Sequence, residues 1–324
     1  MLKSLLLFAV GLVLLIKGGD WFVDGATGIA KRFHLPDIVV GATVVSIGTT
    51  LPEVMVSTTG ALAGSGAMAY GNAIGSIICN TALIAAISIT CNPGPVNVKS
   101  MKTPVIFFFC SAALYCFASY VLGEFPRWMG FVMLGIFVVY TLLTVRNGLR
   151  NPDAAGEEEE EESKPKQLWQ ELLLLVLGAA VIAVGADLLV EPGQIIALEL
   201  GVPETVVALL FVALGTSLPE LVTTITSLKK GRASLGVGNV IGANVFNLVL
   251  VSGVAVSLAP FKVPCENFQL DTGLNMSLVF EIPVMLGVMS LMTIPALITK
   301  KLGRWQGIAL LCIYAAFCVC QFML

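Results

Sequence analysis

The chain has 324 residues, 57% of them hydrophobic and 12% charged, with a formal net charge of −3. Soluble domains carry about a quarter charged residues, so this composition excludes an ordinary soluble protein and points to the membrane class. The mild acidic balance, with no basic patch, excludes a nucleic-acid partner, and the lack of HExxH, GxSxG or P-loop patterns leaves an intramembrane enzyme without support.

In chain order, apolar runs broken by Pro, Gly or charge predict ten membrane helices. They lie near residues 4–29, 37–62, 70–90, 104–122, 128–148, 169–190, 204–227, 236–258, 276–298 and 304–323. Pro36, Pro104 and Pro203 are expected at span starts, where a missing N–H costs little. The first run continues through Gly18, Gly19 and Asp20 without an Ala-x-Ala site, so it reads as a retained helix rather than a signal peptide. The eight cysteines lie mostly inside apolar runs with no CxxC pair, and serve as small hydrophobes.

Positive charge orients the chain. With the N-terminus outside, the cytoplasmic connections hold Lys31, Arg32, Lys99, Lys102, Arg146, Arg150, Lys164, Lys166, Lys229, Lys230, Arg232, Lys300, Lys301 and Arg304. The external segments hold only Lys3, Arg127 and Lys262. This positive-inside bias predicts a multi-pass protein of the inner (plasma) membrane with both termini external. Three regions follow: a first five-helix half over 1–150, a cytoplasmic linker over 151–168 containing Glu157 to Glu162, and a second five-helix half over 169–324. The acidic run repels itself and reads as a solvated connection.

A shift of 167 residues aligns the sequence with itself. Asp20 falls on Asp187, Pro36 on Pro203, Gly48 on Gly215, Pro52-Glu53 on Pro219-Glu220, Gly71-Asn72 on Gly238-Asn239, and Asn80 on Asn247. Over 20–86 there are 21 identities without a gap. Shared hydrophobicity could match Val and Leu, but not Pro, Gly, Asn and Glu at one offset. Five spans per half is an odd number, so the halves enter the membrane from opposite sides. Such inverted repeats belong to transporters that bind substrate near the midplane.

Each half breaks an apolar span with a polar stretch, Ser46-Ile47-Gly48-Thr49-Thr50-Leu51-Pro52-Glu53 and Ala213-Leu214-Gly215-Thr216-Ser217-Leu218-Pro219-Glu220. Proline strips the carbonyl four residues back of its partner, here Gly48 and Gly215, beside the hydroxyls of Thr49, Thr50, Thr216 and Ser217. Freed carbonyls, hydroxyls and carboxylates are the ligands that hard cations prefer. Glu53 and Glu220 lie mid-span, where a charge is costly and marks function. Asn72, Ser76 and Asn80 share one helix face, as do Asn239, Ala243 and Asn247. Gly71, Gly75, Gly238 and Gly242 are spaced for close helix packing.

These paired motifs resemble the alpha repeats of the sodium/calcium exchangers, in the calcium/cation antiporter superfamily, and most of all their compact bacterial type. The likeness covers nearly the whole chain. It implies ten helices in two inverted five-helix repeats and a cluster of ion sites. Glu53 and Glu220 would bind calcium with Thr49 and Thr216. Backbone oxygens of Ser46 and Ala213, with Thr50, Ser217 and Ser76, would help bind sodium, and Asn80 and Asn247 would border the centre. Many family members carry an acidic residue at the position of Asn247 and Ser at that of Ala243. Here the centre is left with two carboxylates.

Two ionised glutamates in one dry site repel, and calcium neutralises both. Sodium ions or protons must take its place before the empty carrier closes, and that competition is the basis of antiport. The expected function is calcium-for-sodium exchange, with calcium/proton or other divalent-cation antiport as the alternative. Calcium and sodium are cargo. No cofactor and no obligatory protein partner is expected beyond the lipid bilayer.

Overall fold

The computed structural model describes residues 2–150, 167–199, 215–264, 275 and 277–323. The acidic run, Ala213, Pro203 and the first part of the seventh expected span lie outside the described residues. The described residues are mostly helical. Helix α1 is Leu2–Arg32, α2 is Asp37–Thr49, α3 is Leu51–Leu62, α4 is Gly66–Cys91, α5 is Val98–Leu122 and α6 is Arg127–Arg150. They are followed by α7 (Leu168–Glu199), α8 (Leu218–Lys229), α9 (Ala233–Leu258), α10 (Ser277–Thr299) and α11 (Arg304–Met323). Eight of these are long and apolar enough to cross a membrane, and α2 with α3 makes a ninth span bent by 45°. Helices suit that setting because each satisfies its own backbone groups.

Pro52 accounts for the break between α2 and α3, and Pro219 holds the same place in α8. Each stands in the first turn of its helix, preceded by Thr50 (φ −85°, ψ −2°) or Ser217 (φ −89°, ψ 4°). Pro104, expected at a span start, instead lies inside α5. The helix begins two turns earlier because the Asn97 side chain accepts the Ser100 N–H and caps it at Val98.

Burial separates the inner helices from the outer ones. Every residue of α9 from Leu235 to Phe246 is buried. By contrast α6 exposes Phe131, Val138, Leu142 and Leu149 along one stripe, as a lipid-facing helix would. Helices α1 and α7 pack along glycines. A Cβ on Gly178 would meet the Phe22 backbone nitrogen at 2.5 Å, and one on Gly18 the Ile182 nitrogen at 2.9 Å. At the end of the bundle rich in basic residues, Arg32 pairs with Glu171 at 3.0 Å, Lys230 with Asp24 at 2.7 Å and with Asp20 at 3.7 Å, and Arg232 with Asp37 at 3.1 Å.

The repeated spacing extends to element bounds. Helices α3 and α8, and α4 and α9, begin and end 167 residues apart. Gly64 (φ +85°) and Gly231 (φ +70°), which close α3 and α8, keep that spacing in the left-handed region that favours glycine. Two short antiparallel ribbons join the halves. Gly94–Pro95 pairs with Lys301–Leu302, and Glu124–Phe125 with Phe261–Lys262.

Candidate functional site

The site forms where the first turns of α3 and α8 meet the buried helices. Three wide helical turns prepare it, at Gly41–Val45, Asn80–Ala85 and Asn247–Val251. Turns of this kind leave carbonyls short of their usual partners, and side chains take them up. Ser46 Oγ donates to the Gly41 carbonyl at 2.8 Å, Tyr140 Oη to that of Ala42 at 2.8 Å, and Ser252 Oγ to that of Asn247 at 2.9 Å. Two of the wide turns open on the asparagines singled out by the repeat.

Helices α2 and α9 cross at backbone distance. A Cβ on Gly238 would lie 2.8 Å from the Ile38 Cα, and one on Gly242 2.6 Å from the Ala42 Cα. Gly71 and Gly75 have no described neighbour within 4 Å; the segment that would face them by the same spacing lies outside the described residues. The close crossing brings Ser46 Oγ to the Asn239 carbonyl (2.9 Å) and side-chain oxygen (3.3 Å), and Thr49 Oγ1 to the same side-chain oxygen at 3.2 Å. On the other side Thr216 Oγ1 reaches Asn72 Oδ1 at 3.4 Å. The pairs Thr49–Asn239 and Thr216–Asn72 are counterparts across the repeat. Asn72 also donates from Nδ2 to Ser57 Oγ at 2.8 Å and to the Glu53 carbonyl at 3.3 Å.

Both glutamates are fully buried. Their carboxylates interact electrostatically with each other. Thr50 Oγ1 lies 3.5 Å from Glu220 Oε1. Both Glu53 carboxylate oxygens, Glu220 Oε2, Ser217 Oγ and the side-chain amides of Asn80 and Asn247 are buried without a hydrogen-bond partner. Buried polar groups normally have partners, so a cluster of orphans calls for an explanation. These oxygens are the donor set that a desolvated hard cation needs. Among the described residues no three His, Cys, Asp or Glu side chains cluster as a metal centre.

The remaining expected residues are placed as follows. Ser76 is buried on α4, and Ala243 is buried on α9. Asp187 lines a cleft of about 960 Å³ together with Gly48, Thr49, Gly215 and Thr216, between α7 and the broken spans. Three residues of the neighbourhood carried no site role in the sequence. Asn72 and Asn239 were legible as helix-face residues, but their threonine partners lie 144 and 190 positions away. Cys79, read as a small hydrophobe, is buried on α4 immediately before Asn80.

Comparison with known proteins bears on this arrangement. The family model described as sodium/calcium exchanger protein matches residues 3–146 and 171–323. The chain belongs to the sodium/calcium exchanger family. Members of this exchanger family are membrane antiporters of calcium and other cations, so the protein is a transporter and not an enzyme. Sodium/calcium exchanger MaX1 of Methanosarcina acetivorans is 30% identical, covering 98% of each chain. Inner membrane protein YrbG of Escherichia coli is 31% identical over 81% of this chain and 82% of its own. A solved structure of the sodium-calcium exchanger NCX_Mj, soaked with sodium and strontium, superposes with a TM-score of 0.78 at 32% identity and 97% coverage of both chains.

Proposed function

We propose that this exchanger moves calcium against sodium through one midplane site built on Glu53 and Glu220. The observation that carries the reading is the pair of fully buried carboxylates, set among orphaned oxygens and drawn together by the Thr50–Glu220 contact. A divalent cation between them cancels two negative charges and offsets their desolvation. Thr49 and Thr216 complete the calcium shell. Ser46, Thr50, Ser76 and Ser217, with the Ala213 backbone, serve sodium, and Asn80 and Asn247 close the centre. Asn72 and Asn239 orient the two threonines through the paired contacts at 3.4 and 3.2 Å.

The architecture proposed for this work is ten helices in two inverted halves, 1–150 and 169–324, joined by the cytoplasmic linker 151–168. The equal spacing of α3 with α8 and of α4 with α9 supports it. So does the exchange of the two ribbons under the repeat, since each pairs one strand from each half. The basic end, with Arg32, Lys230 and Arg232, faces the cytoplasm, and both termini face outward. The family name and the sodium/calcium exchanger relatives support sodium as the coupling ion. The cycle as proposed needs no cofactor and no second protein.

Calcium uptake into proteoliposomes, with sodium, potassium and proton gradients imposed separately, tests this reading. Uptake driven by an outward sodium gradient is expected. Uptake that follows only the proton gradient would overturn sodium coupling.

A further inference from the structure

The connection from α10 to α11 is built like the connection from α5 to α6, but its charge differs. Gly123 and Lys300 each cap the helix before them in the left-handed region, at φ 69° and 57°. The strands Glu124–Phe125 and Lys301–Leu302 follow, and α6 and α11 then open on Arg127-Trp128 and Arg304-Trp305, all at a spacing of 177. Trp128 and Trp305 are 53% and 59% exposed. Tryptophans so placed mark membrane–water boundaries, and the Arg-Trp pair is common to both connections. Lys300-Lys301 in place of Gly123-Glu124 is particular to one.

Lys300 stands where its backbone resists a side chain. The left-handed region crowds any Cβ, and glycine is the usual residue there at a helix C-terminus. Among the described non-glycine residues only His34 shares that region. Membrane orientation does not explain the choice. It depends on how many positive charges a loop carries, and a lysine at an unstrained position would serve as well. A side chain kept on a strained backbone points to a local task.

The loop is fixed with its charges outward. Lys301 is exposed, while Leu302, next along the strand, is buried. The strand pairs with Gly94–Pro95, and the Val96 N–H donates to the Lys300 carbonyl at 3.0 Å. Arg304 Nε donates to the Thr90 carbonyl at 3.0 Å, which ties the start of α11 to the end of α4. Among the described residues, Lys300, Lys301 and Arg304 pair with no carboxylate. On the membrane side of this loop, Ile294 and Ile298 of α10 and Ile308 of α11 are exposed, Ile298 to 75%. Three cations and an indole therefore border exposed aliphatic surface.

We infer that Lys300, Lys301, Arg304 and Trp305 form a docking site for the headgroup of an anionic phospholipid. Ammonium and guanidinium groups give the phosphate charge-assisted hydrogen bonds. The indole lies at headgroup level, and the acyl chains run along Ile298 and Ile308. At the corresponding place on the other connection Glu124 repels such a headgroup, so the site exists at one membrane surface only. It stands whether or not Glu53 and Glu220 share an ion.

The test uses the full-length protein in dodecyl maltoside micelles, titrated with phosphatidylglycerol or with phosphatidylcholine of the same chains. A ligand that binds only the folded state raises the melting temperature. Phosphatidylglycerol should raise it by a few degrees, and phosphatidylcholine should not. Lys300→Gly places the residue of the other connection in the left-handed position, and Lys301→Gln changes an exposed side chain. Each should weaken apparent phosphatidylglycerol affinity roughly fivefold, and both together roughly twentyfold. Either gives the answer should the other fail to fold. Lys262→Gln, on the opposite ribbon, should leave the affinity unchanged. An equal response to phosphatidylcholine, a response undiminished in the double variant, or one reproduced by inorganic phosphate would overturn the inference. A phosphatidylglycerol response that appears only after Glu157–Glu162 is replaced by a neutral linker would give these lysines to the acidic run and overturn it as well.

Discussion

Gly242→Ala should disrupt the ion site through packing alone. The new Cβ would stand 2.6 Å from both the Cα and the carbonyl oxygen of Ala42, and closer still to Ser46 Oγ. Carbon contacts settle near ~3.5–4.0 Å, so α2 and α9 must separate by about 1 Å. Overpacking of this kind costs ~1–3 kcal/mol. Ser46 must also turn away and give up the one hydrogen bond its hydroxyl proton makes, shared between the Gly41 and Asn239 carbonyls, at about 1 kcal/mol. The sum, about 2–4 kcal/mol, should lower the melting temperature by on the order of 5–15 °C. It should also weaken apparent sodium affinity, because Ser46 and Thr49 lose their placement against Asn239. The control is Gly135→Ala on α6, which has no described neighbour within 4 Å and should be neutral or stabilising by ~0.5–1 kcal/mol. Thermal unfolding in detergent and a sodium titration of calcium flux are the assays. A Gly242→Ala protein as stable as the parent, with unchanged sodium dependence, would refute the claim that this crossing positions the ligands.

Asn239→Ala removes the shared partner of Ser46 and Thr49 and should reduce calcium flux at least tenfold while insertion stays normal; a proteoliposome assay checks this, and parent-like flux would count against the positioning role. Asn247→Asp adds a third carboxylate to the centre, and three such groups cannot all stay ionised unaided. Flux should then become pH-dependent near neutrality, and a flat pH series would remove Asn247 from the ion path. Ala243→Ser restores an oxygen on the site-facing side of α9 and should tighten apparent sodium affinity, read from a sodium titration. Replacing Glu157–Glu162 with a flexible linker should leave transport within a few-fold; loss of flux with normal insertion would give the run a regulatory role.

Much of the fold was legible because proline, glycine and asparagine leave a mark that hydrophobicity does not erase. The Pro52 break, the equal spacing of α3 with α8, and the burial of Glu53 and Glu220 all follow from residues visible at one offset. Partner choice was not legible. Periodicity assigns a residue to a helix face but not to the face it meets, so the contacts of Asn239 with Ser46 and Thr49 emerged only from the α2–α9 crossing. The start of α5 was also misplaced. Pro104 looked like a boundary, yet the Asn97 cap outweighs it, since a proline in the second turn costs one hydrogen bond that the buried helix can lose.

The central claim is that Glu53 and Glu220 share one calcium ion. Sodium-driven radioactive calcium uptake into proteoliposomes, measured for Glu53→Gln and Glu220→Gln separately, tests it most directly. Each substitution keeps the shape and removes one of the two charges that balance the ion, so each alone should abolish uptake while the protein elutes as a folded species. Near-normal uptake by either variant would contradict the shared site.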